Sequence, residues 1–385
     1  MRQFLTILTL IAILASAKPL SEQSAEEPVA GLPIWLVAAI SQPKPIAILV
    51  NGEKAEVTPM FALSEAIEYV NEIQSVGANY VIQLSASTYR ETKPAVVPTN
   101  TTIKGKGRSH TILSFECDCA VAMEISSEGN VRVEDLTLKS LTSTSRNEGL
   151  RATNAGADVF LSNLRVETSA TDITSALVVG SGNAEATVYV SNSVVRATAG
   201  QQAIAIVSAG GVTISDSVAD PFDISGSFNP SADLIALSPG DSARVTLVTG
   251  SKLGVSGQCY GRTVYAFYTS IELRQTDICG AIELEASNAT LNEITHISNG
   301  TFQDRIALLG GSLTITNSNL LAGRFSAFSA ITNYTITDST MSYTQGGLSI
   351  YWGASEDSKT AVSCQNVIID GTDDFCSLLA AAVGL

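Results

Sequence analysis

Val188-Tyr-Val190-Ser-Asn192 and Val212-Thr-Ile214-Ser-Asp216 are two copies of one short pattern. It consists of an apolar residue, any residue, a second apolar residue, and Asn or Asp two positions further on. Val131-Arg-Val133-Glu-Asp135, Val159-Phe-Leu161-Ser-Asn163, Leu313-Thr-Ile315-Thr-Asn317 and Tyr334-Thr-Ile336-Thr-Asp338 repeat it in full. Val245-Thr-Leu247, Ile271-Glu-Leu273 and Ala289-Thr-Leu291 are weaker copies. With the second apolar residue as anchor, the copies fall at 133, 161, 190, 214, 247, 273, 291, 315 and 336, with gaps of 18 to 33 residues. Gaps in this range mark a repeat architecture.

Each copy has the chemistry of a strand followed by a bend. Alternation with period two sends the apolar residues to one face, and β-branched Val, Ile and Thr suit a pleated surface. Asn and Asp tolerate left-handed backbone angles and hydrogen-bond their own turn. A second short strand follows the bend, as in Leu164-Arg-Val166. A sandwich would favour tight hairpins, and a propeller would show about four strands per repeat of ~40–45 residues. The pattern therefore predicts an all-β, right-handed parallel β-helix, a solenoid in which each coil touches its neighbours. Its open end calls for a cap. Pro59–Val76 is the helix candidate, with Gly77 as its stop. Ala62, Leu63, Ala66, Ile67, Val70 and Ile73 form its apolar face.

The N-terminus reads as a secretory signal over residues 1–17. Arg2 supplies the charge, Leu5–Leu14 the apolar run, and Ala15-Ser-Ala17 the small residues before cleavage. The run is too short to span a bilayer, and no later stretch reads as an integral membrane span. Residues 18–58 form a leading segment and 59–385 the β-helix domain. The expected location is secreted and extracellular, or periplasmic in a bacterium. A net charge of −15 without a basic stripe argues against nucleic acid as a partner. It also disfavours strongly anionic polymers unless they are esterified or neutralised by calcium.

Export makes disulfides plausible. Spacing suggests Cys259 with Cys279 and Cys364 with Cys376, whereas Cys117 and Cys119 are close for a comfortable bridge. No Cys-x-x-Cys occurs, and His110 and His296 stand far apart, so no zinc site is expected. Four Asn-x-Thr sequons are present, at Asn100, Asn288, Asn299 and Asn333; they matter in a eukaryotic source.

Residues 61–113 resemble the opening of pectin methylesterases and related pectin-lyase-like β-helix proteins. The helix-like Phe61-Ala-Leu-Ser-Glu-Ala-Ile is followed by Tyr80-Val-Ile-Gln-Leu. Ser87-Thr-Tyr-Arg-Glu91 is similar to the family's Gly-Thr-Tyr-Arg-Glu, and Ile103-Lys-Gly105-Lys-Gly107 before His110-Thr-Ile to its Leu-x-Gly-x-Gly…Thr-x-Ile. The resemblance implies an active site of two Asp residues, a Gln donor and an Arg. Residue by residue, it carries over to Gln202 in Gln201-Gln-Ala-Ile-Ala, Asp223 in Pro221-Phe-Asp-Ile, Asp233 in Ala232-Asp-Leu-Ile, and Arg324 in Gly323-Arg-Phe-Ser. No position keeps the family's full motif. A carboxylate nucleophile, a second carboxyl as acid/base and a fixed oxyanion donor are all needed for that chemistry, and losing the donor alone costs roughly 10²–10³ in rate. As turn residues beside Pro221, Gly226 and Pro230, Asp223 and Asp233 also have a plain structural reading.

Other chemistries are less complete. A lyase-like calcium site would draw on Glu134, Asp135, Asp158, Glu167 and Asp172, and a polygalacturonase-like site has only Asp373-Asp374. Aromatics gather at Tyr260, Tyr265, Phe267 and Tyr268, and again at Tyr343, Tyr351 and Trp352. Exposed, such rings stack on sugars; buried, they fill the last coils. The expected function is binding of a polysaccharide such as pectin, or a structural role at a cell surface, with no cofactor and no metal. The alternative is a pectin methylesterase-like carbohydrate esterase with a diverged site.

Overall fold

A computed structural model describes residues 44–385, except 127–128, 142–144, 154–155, 182–185, 224–231, 238–243, 255–261, 298–304, 322–323, 328–331, 343–348, 353–361, 370–372 and 384–385. The expected signal peptide and most of the leading segment lie outside the described residues.

The chain is a parallel β-helix. Each coil contributes strands to three stacks, here sheets A, B and C in chain order. Sheet A holds the repeated motif and runs through Tyr80–Gln83, Thr101–Lys104 and the starts of Val131–Leu141 and Val159–Ala170. It continues through Val188–Ser191, Val212–Ser215, Val245–Thr249 and Ser270–Arg274. The later parts of Ala281–Asn292 and Arg305–Thr316, then Thr332–Ser342 and Val362–Ile369, complete it. Every one of these pairings is parallel. The anchors Ile82, Ile103, Val133, Leu161, Val190, Ile214, Leu273, Leu291, Ile315 and Ile336 are at most 1% exposed and stack as one column of the core.

One weak copy sits one residue off the expected register. Val248, not Leu247, pairs with Ile214 and Leu273. Val248 is fully buried, whereas Val245 is 42% exposed. The side-chain period of two makes such a slip reverse every side chain of a strand, so burial decides it. The corner residue two positions on is then Gly250, whose φ is +59°.

The bend between sheets A and B recurs with one backbone state. Asp135, Asn163, Asn192, Asp216, Asn317 and Asp338, the six Asx residues of the motif, all have φ between +47° and +60°. Gln275, Glu293 and Asn366 adopt the same state in other coils. The residue after the corner is often Ser or Thr, and it is buried: Ser193, Ser217, Ser251, Thr276, Ser318 and Ser339. Ser217 Oγ accepts the Ser193 N–H of the preceding coil at 3.2 Å and donates to the Ser215 carbonyl at 2.8 Å. Ser251 repeats both bonds one coil on, at 3.1 and 2.9 Å, and Ser339 does so for Ser318. Backbone donors turned inward by the corner thus find partners inside the core, where an unmade bond is expensive.

Helix α1, Leu63–Ile73, closes the N-terminal end; it is shorter than the predicted Pro59–Val76. Leu63, Ala66, Ile67 and Val70 are buried as expected. Its start has no capping side chain of its own, so Glu91, buried in strand Ser87–Glu91, accepts the Leu63 and Ser64 N–H groups. Glu65 reaches back to the Phe61 and Ala62 N–H groups. Strand Ala47–Val50 pairs antiparallel with Tyr80–Gln83 along the same edge. The resembled glycines have a steric cause: a Cβ on Gly105 would lie 2.1 Å from the Asp135 carbonyl oxygen, and Gly107 has φ +116°. At the far end, helix α2, Phe375–Val383, follows an antiparallel pairing of Val362–Ile369 with Asp373–Asp374. Cys364–Cys376 ties that end together, as the spacing suggested. Cys117 and Cys119 are bridged despite their proximity, because their Cα atoms stand 5.1 Å apart, within the usual disulfide range. Cys279 is also disulfide-bonded, and its expected partner Cys259 lies outside the described residues.

Ser217→Ala would leave the Ser193 N–H unpaired in the core and lower stability by about 1–3 kcal/mol. Ser215→Ala, on the solvent side, should stay within about 0.5 kcal/mol; chemical denaturation of both variants compares them. Burial raises the Glu91 carboxyl above its usual range, outweighing the hydrogen bonds from Leu63 and Ser64 that lower it. Its contribution is therefore full below the ordinary carboxyl range and is lost as pH rises through the raised value. Melting from about pH 4 to about pH 7 should show the wild type losing stability relative to Glu91→Gln. A difference constant with pH would show that Glu91 does not titrate differently on folding.

Candidate functional site

Stacking turns each outward position into a column, so a site on this fold is built from residues far apart in sequence. Sheet A carries an outer column in which the Arg132 guanidinium lies 4.1 Å from the Phe160 ring centroid. Phe160 in turn stacks on Tyr189 at 5.1 Å, with the rings 8° from parallel. Both faces of Phe160 are covered, and Tyr189 at the end of the stack is 36% exposed. Sheet B bears charges that neutralise one another, such as Lys139 with Glu167 at 3.5 Å and Lys252 with Asp277 at 3.8 Å.

Sheet C differs. In its late coils, strand Arg262–Phe267 pairs with the start of Ala281–Asn292, setting Tyr265 opposite Glu283 and Phe267 opposite Glu285. Ile282 and Leu284 on either side of Glu283 are fully buried and point to the core; Glu283 itself is only 9% exposed, whereas Glu285 is half-buried on the outer side. The Tyr265 hydroxyl donates to Glu285 Oε2 at 2.9 Å. Phe267 lies 6.3 Å from Tyr265 and meets Tyr268 edge-on at 4.5 Å. Leu309, opposite Glu285 on the next strand, is 39% exposed, and Tyr268 is 56% exposed. Beneath the site, His296 is buried and donates its Nε2–H to the Gly280 carbonyl at 2.7 Å, a structural role.

Tyr268 occupies the corner from sheet C to sheet A with φ +49°. The same corner is Ala286 one coil on and Gly310 in the next. Gln275 and Glu293 take the same state at the A-to-B corner, so what sets Tyr268 apart is the exposed aromatic ring it places there. Of the two expected aromatic groups, the structure assembles Tyr265, Phe267 and Tyr268. Tyr351 holds the register column of Tyr265 and Glu283 several strands on, and Tyr260 and Tyr343 lie outside the described residues. Arg262, Arg305 and Arg324 share another column of sheet C. Glu283 and Glu285 were not singled out from sequence, because Ala281-Ile-Glu-Leu-Glu reads only as an alternating strand. Two Glu residues at i and i+2 between core residues were the available signal.

The four residues carried over from the esterase resemblance fall in two places. Gln202, half-buried, begins strand Gln202–Ser208 of sheet C. Asp223 ends strand Val218–Asp223 of sheet B, opposite Ala199, just before the corner that leads to Gln202. Asp233 lies in Ala232–Leu237, the next strand of sheet C, opposite Ala205 and so three residues out of register with Gln202. Arg324 begins Arg324–Ala327, four strands beyond Asp233, or about 19 Å along the axis. Gln202, Asp223 and Asp233 thus fall on two adjacent coils but in two sheets and out of register, and Arg324 stands apart. The side chains of Asp223, Asp233 and Arg324 lie outside the described set.

The acids weighed for calcium are spread over the surface. Glu134 binds Lys104 at 2.7 Å, Asp135 accepts the Asn163 amide at 2.6 Å, and Asp158 accepts the Thr187 N–H at 2.9 Å. Glu167 pairs with Lys139, and Asp172 lies 3.3 Å from the Gln201 amide. Among the described residues, no group of three His, Cys, Asp or Glu side chains is placed to hold a metal ion. No described helix is long and apolar enough to cross a membrane.

No protein-family model matches the chain, and no curated protein matches its sequence. Among solved structures, it is similar to the A-module of a mannuronan C-5 epimerase from Azotobacter vinelandii. That match has 10% identity, 81% of this chain and 95% of that one covered, and a TM-score of 0.42. A pectin methylesterase from Erwinia chrysanthemi matches at 11% identity, covering 86% and 94%, with a TM-score of 0.39. The catalytic unit of a GH87 alpha-1,3-glucanase from Streptomyces thermodiastaticus matches at 10% identity, covering 82% and 84%, with a TM-score of 0.27.

Proposed function

We propose that this chain is an exported polysaccharide-binding β-helix whose sugar-binding surface is the outer side of sheet C around Tyr265, Phe267, Tyr268 and Glu285. The observation that carries this reading is Tyr268, an exposed aromatic held at positive φ where neighbouring coils use Ala286 and Gly310. Rings with a polar tip lie against the apolar faces of sugars, and carboxylates accept their hydroxyls. The net charge of −15 favours a neutral or esterified glycan, with highly esterified pectin as the first ligand to test. In this reading residues 1–17 direct export and are removed, so Lys18 begins the secreted chain. N-terminal sequencing of the secreted protein checks that directly.

A second reading, a diverged carbohydrate esterase, is favoured by the placement of Gln202, Asp223 and Asp233 on adjacent coils. It requires methanol release from esterified pectin that disappears in Asp233→Asn. Folded wild type that releases none at any pH or calcium level removes it.

Tyr268→Gly separates binding from folding. Glycine relieves the left-handed backbone, so stability should hold or rise by about 1 kcal/mol, while affinity for the glycan falls about 5- to 10-fold. Phe160→Ala on sheet A should leave affinity unchanged. Calorimetric titration with esterified pectin and with a neutral glucan reads both variants. Equal affinity in wild type and Tyr268→Gly would place the sugar elsewhere.

A further inference from the structure

We infer that Asn288 and Asn333 are N-glycosylation sites and that Asn100, which carries the same sequon, is not. The inference rests on the export reading above and on a eukaryotic secretory pathway. In a strand, positions i and i+2 share a face, so an Asn-x-Thr sequon there presents its asparagine and its hydroxyl side by side. Asn288 and Thr290 do so in Ala281–Asn292, with Ala289 buried between them. Asn333 and Thr335 do so in Thr332–Ser342, with Tyr334 fully buried between them. Both asparagines are exposed on the outer side of sheet A. Each is in register with Ser312 of the intervening strand, so they stand two strands apart, about 10 Å. That leaves room for two sugar stalks leaving the same side. The Ser312 hydroxyl donates to Asn288 Oδ1 at 2.7 Å, engaging the amide oxygen rather than the nitrogen.

Asn100 is placed differently. It sits at a corner with φ +56°, is half-buried, and its side chain lies against Gly129 of the next coil. A Cβ on Gly129 would come within 2.5 Å of Asn100 Oδ1, so not even a methyl group fits between them. A sugar at Asn100 would hold the coils apart, and the folded secreted protein should lack it.

The transfer is balanced as follows. The asparagine Nδ2 bonds to the anomeric carbon of a lipid-pyrophosphate-linked oligosaccharide. The bond from that carbon to the pyrophosphate oxygen breaks, the lipid pyrophosphate leaves with the electron pair, and the amide nitrogen gives up one proton. The two glycans would cover the uncharged part of sheet A formed by Thr290, Ser312, Thr314 and Thr335, and leave the outer side of sheet C open.

The test is expression of the full chain, carrying Asn299→Gln, in a eukaryotic secretory host, once with its own first 17 residues and once with a substituted leader. Secreted protein is treated with peptide N-glycosidase, which converts each glycosylated Asn to Asp, and peptides are read by mass spectrometry. Conversion at residues 288 and 333 without conversion at 100 is expected. Asn288→Gln and Asn333→Gln should each remove one glycan from the intact mass. Secreted protein with Asn288 and Asn333 unconverted, or with Asn100 converted, overturns the assignment. Retention with the native leader but secretion with the substituted one overturns the export reading, and the sites are then scored on the second protein.

Discussion

The fold depends on one repeated corner. An Asx residue, or Gly250, Gln275 or Glu293 in its place, turns the chain through a left-handed conformation between sheets A and B. Where a hydroxyl follows, as at Ser217, Ser251 and Ser339, it is carried into the core, where it accepts an N–H from the previous coil and donates to a carbonyl of its own. In those coils the two bonds lock the coil to the one before it at a fixed register. Once register is fixed, the period of two decides which side chains are core and which are surface in every coil. The shift from Leu247 to Val248 shows the constraint at work. Only that register puts Gly250 at the corner and a valine in the core column.

The ends follow from the same economy of hydrogen bonds. Helix α1 starts without a capping side chain, and its first donors would be orphaned against the end coil. Glu91 supplies the acceptors from a strand distant in sequence, at the cost of burying a carboxyl. Much of what makes residues 61–113 resemble the pectin methylesterase opening thus has a folding cause. Glu91 caps α1, the Tyr89 hydroxyl accepts the Ser85 N–H at 2.9 Å, and Gly105 allows a close approach to Asp135. A resemblance made of such residues speaks for the coil and its cap, and says little about the chemistry of a surface.

The three outer sides have separate characters because stacking multiplies whatever each coil places there. Sheet B collects paired charges, and sheet A collects hydroxyls, amides and an aromatic column beside ion pairs of its own, such as Lys104 with Glu134. Sheet C in its late coils sets Glu285 beside Tyr265 and Phe267, with the exposed Tyr268 at its corner. On this last side a corner carries Tyr268 where Ala286 and Gly310 stand in the following coils. The exposure of that ring is what the proposed binding surface rests on.

The sequence by itself determined the coil. Alternating apolar residues, an Asx corner and a recurring gap were legible at once, because strand period and left-handed turn chemistry are local properties of a few consecutive residues. It also marked the aromatic cluster around Tyr265 and the cap over the first coil. What only the tertiary structure decided was adjacency. Glu285 gained meaning only when coil stacking set it opposite Phe267 and beside the Tyr265 hydroxyl, and Arg324 lost its link to Asp233 only when the three intervening strands could be counted. Coils of unequal length stack by hydrogen bonding and burial, so sequence separation does not report distance along the axis. The side to which a residue contributes is therefore fixed by register, which the packed core sets.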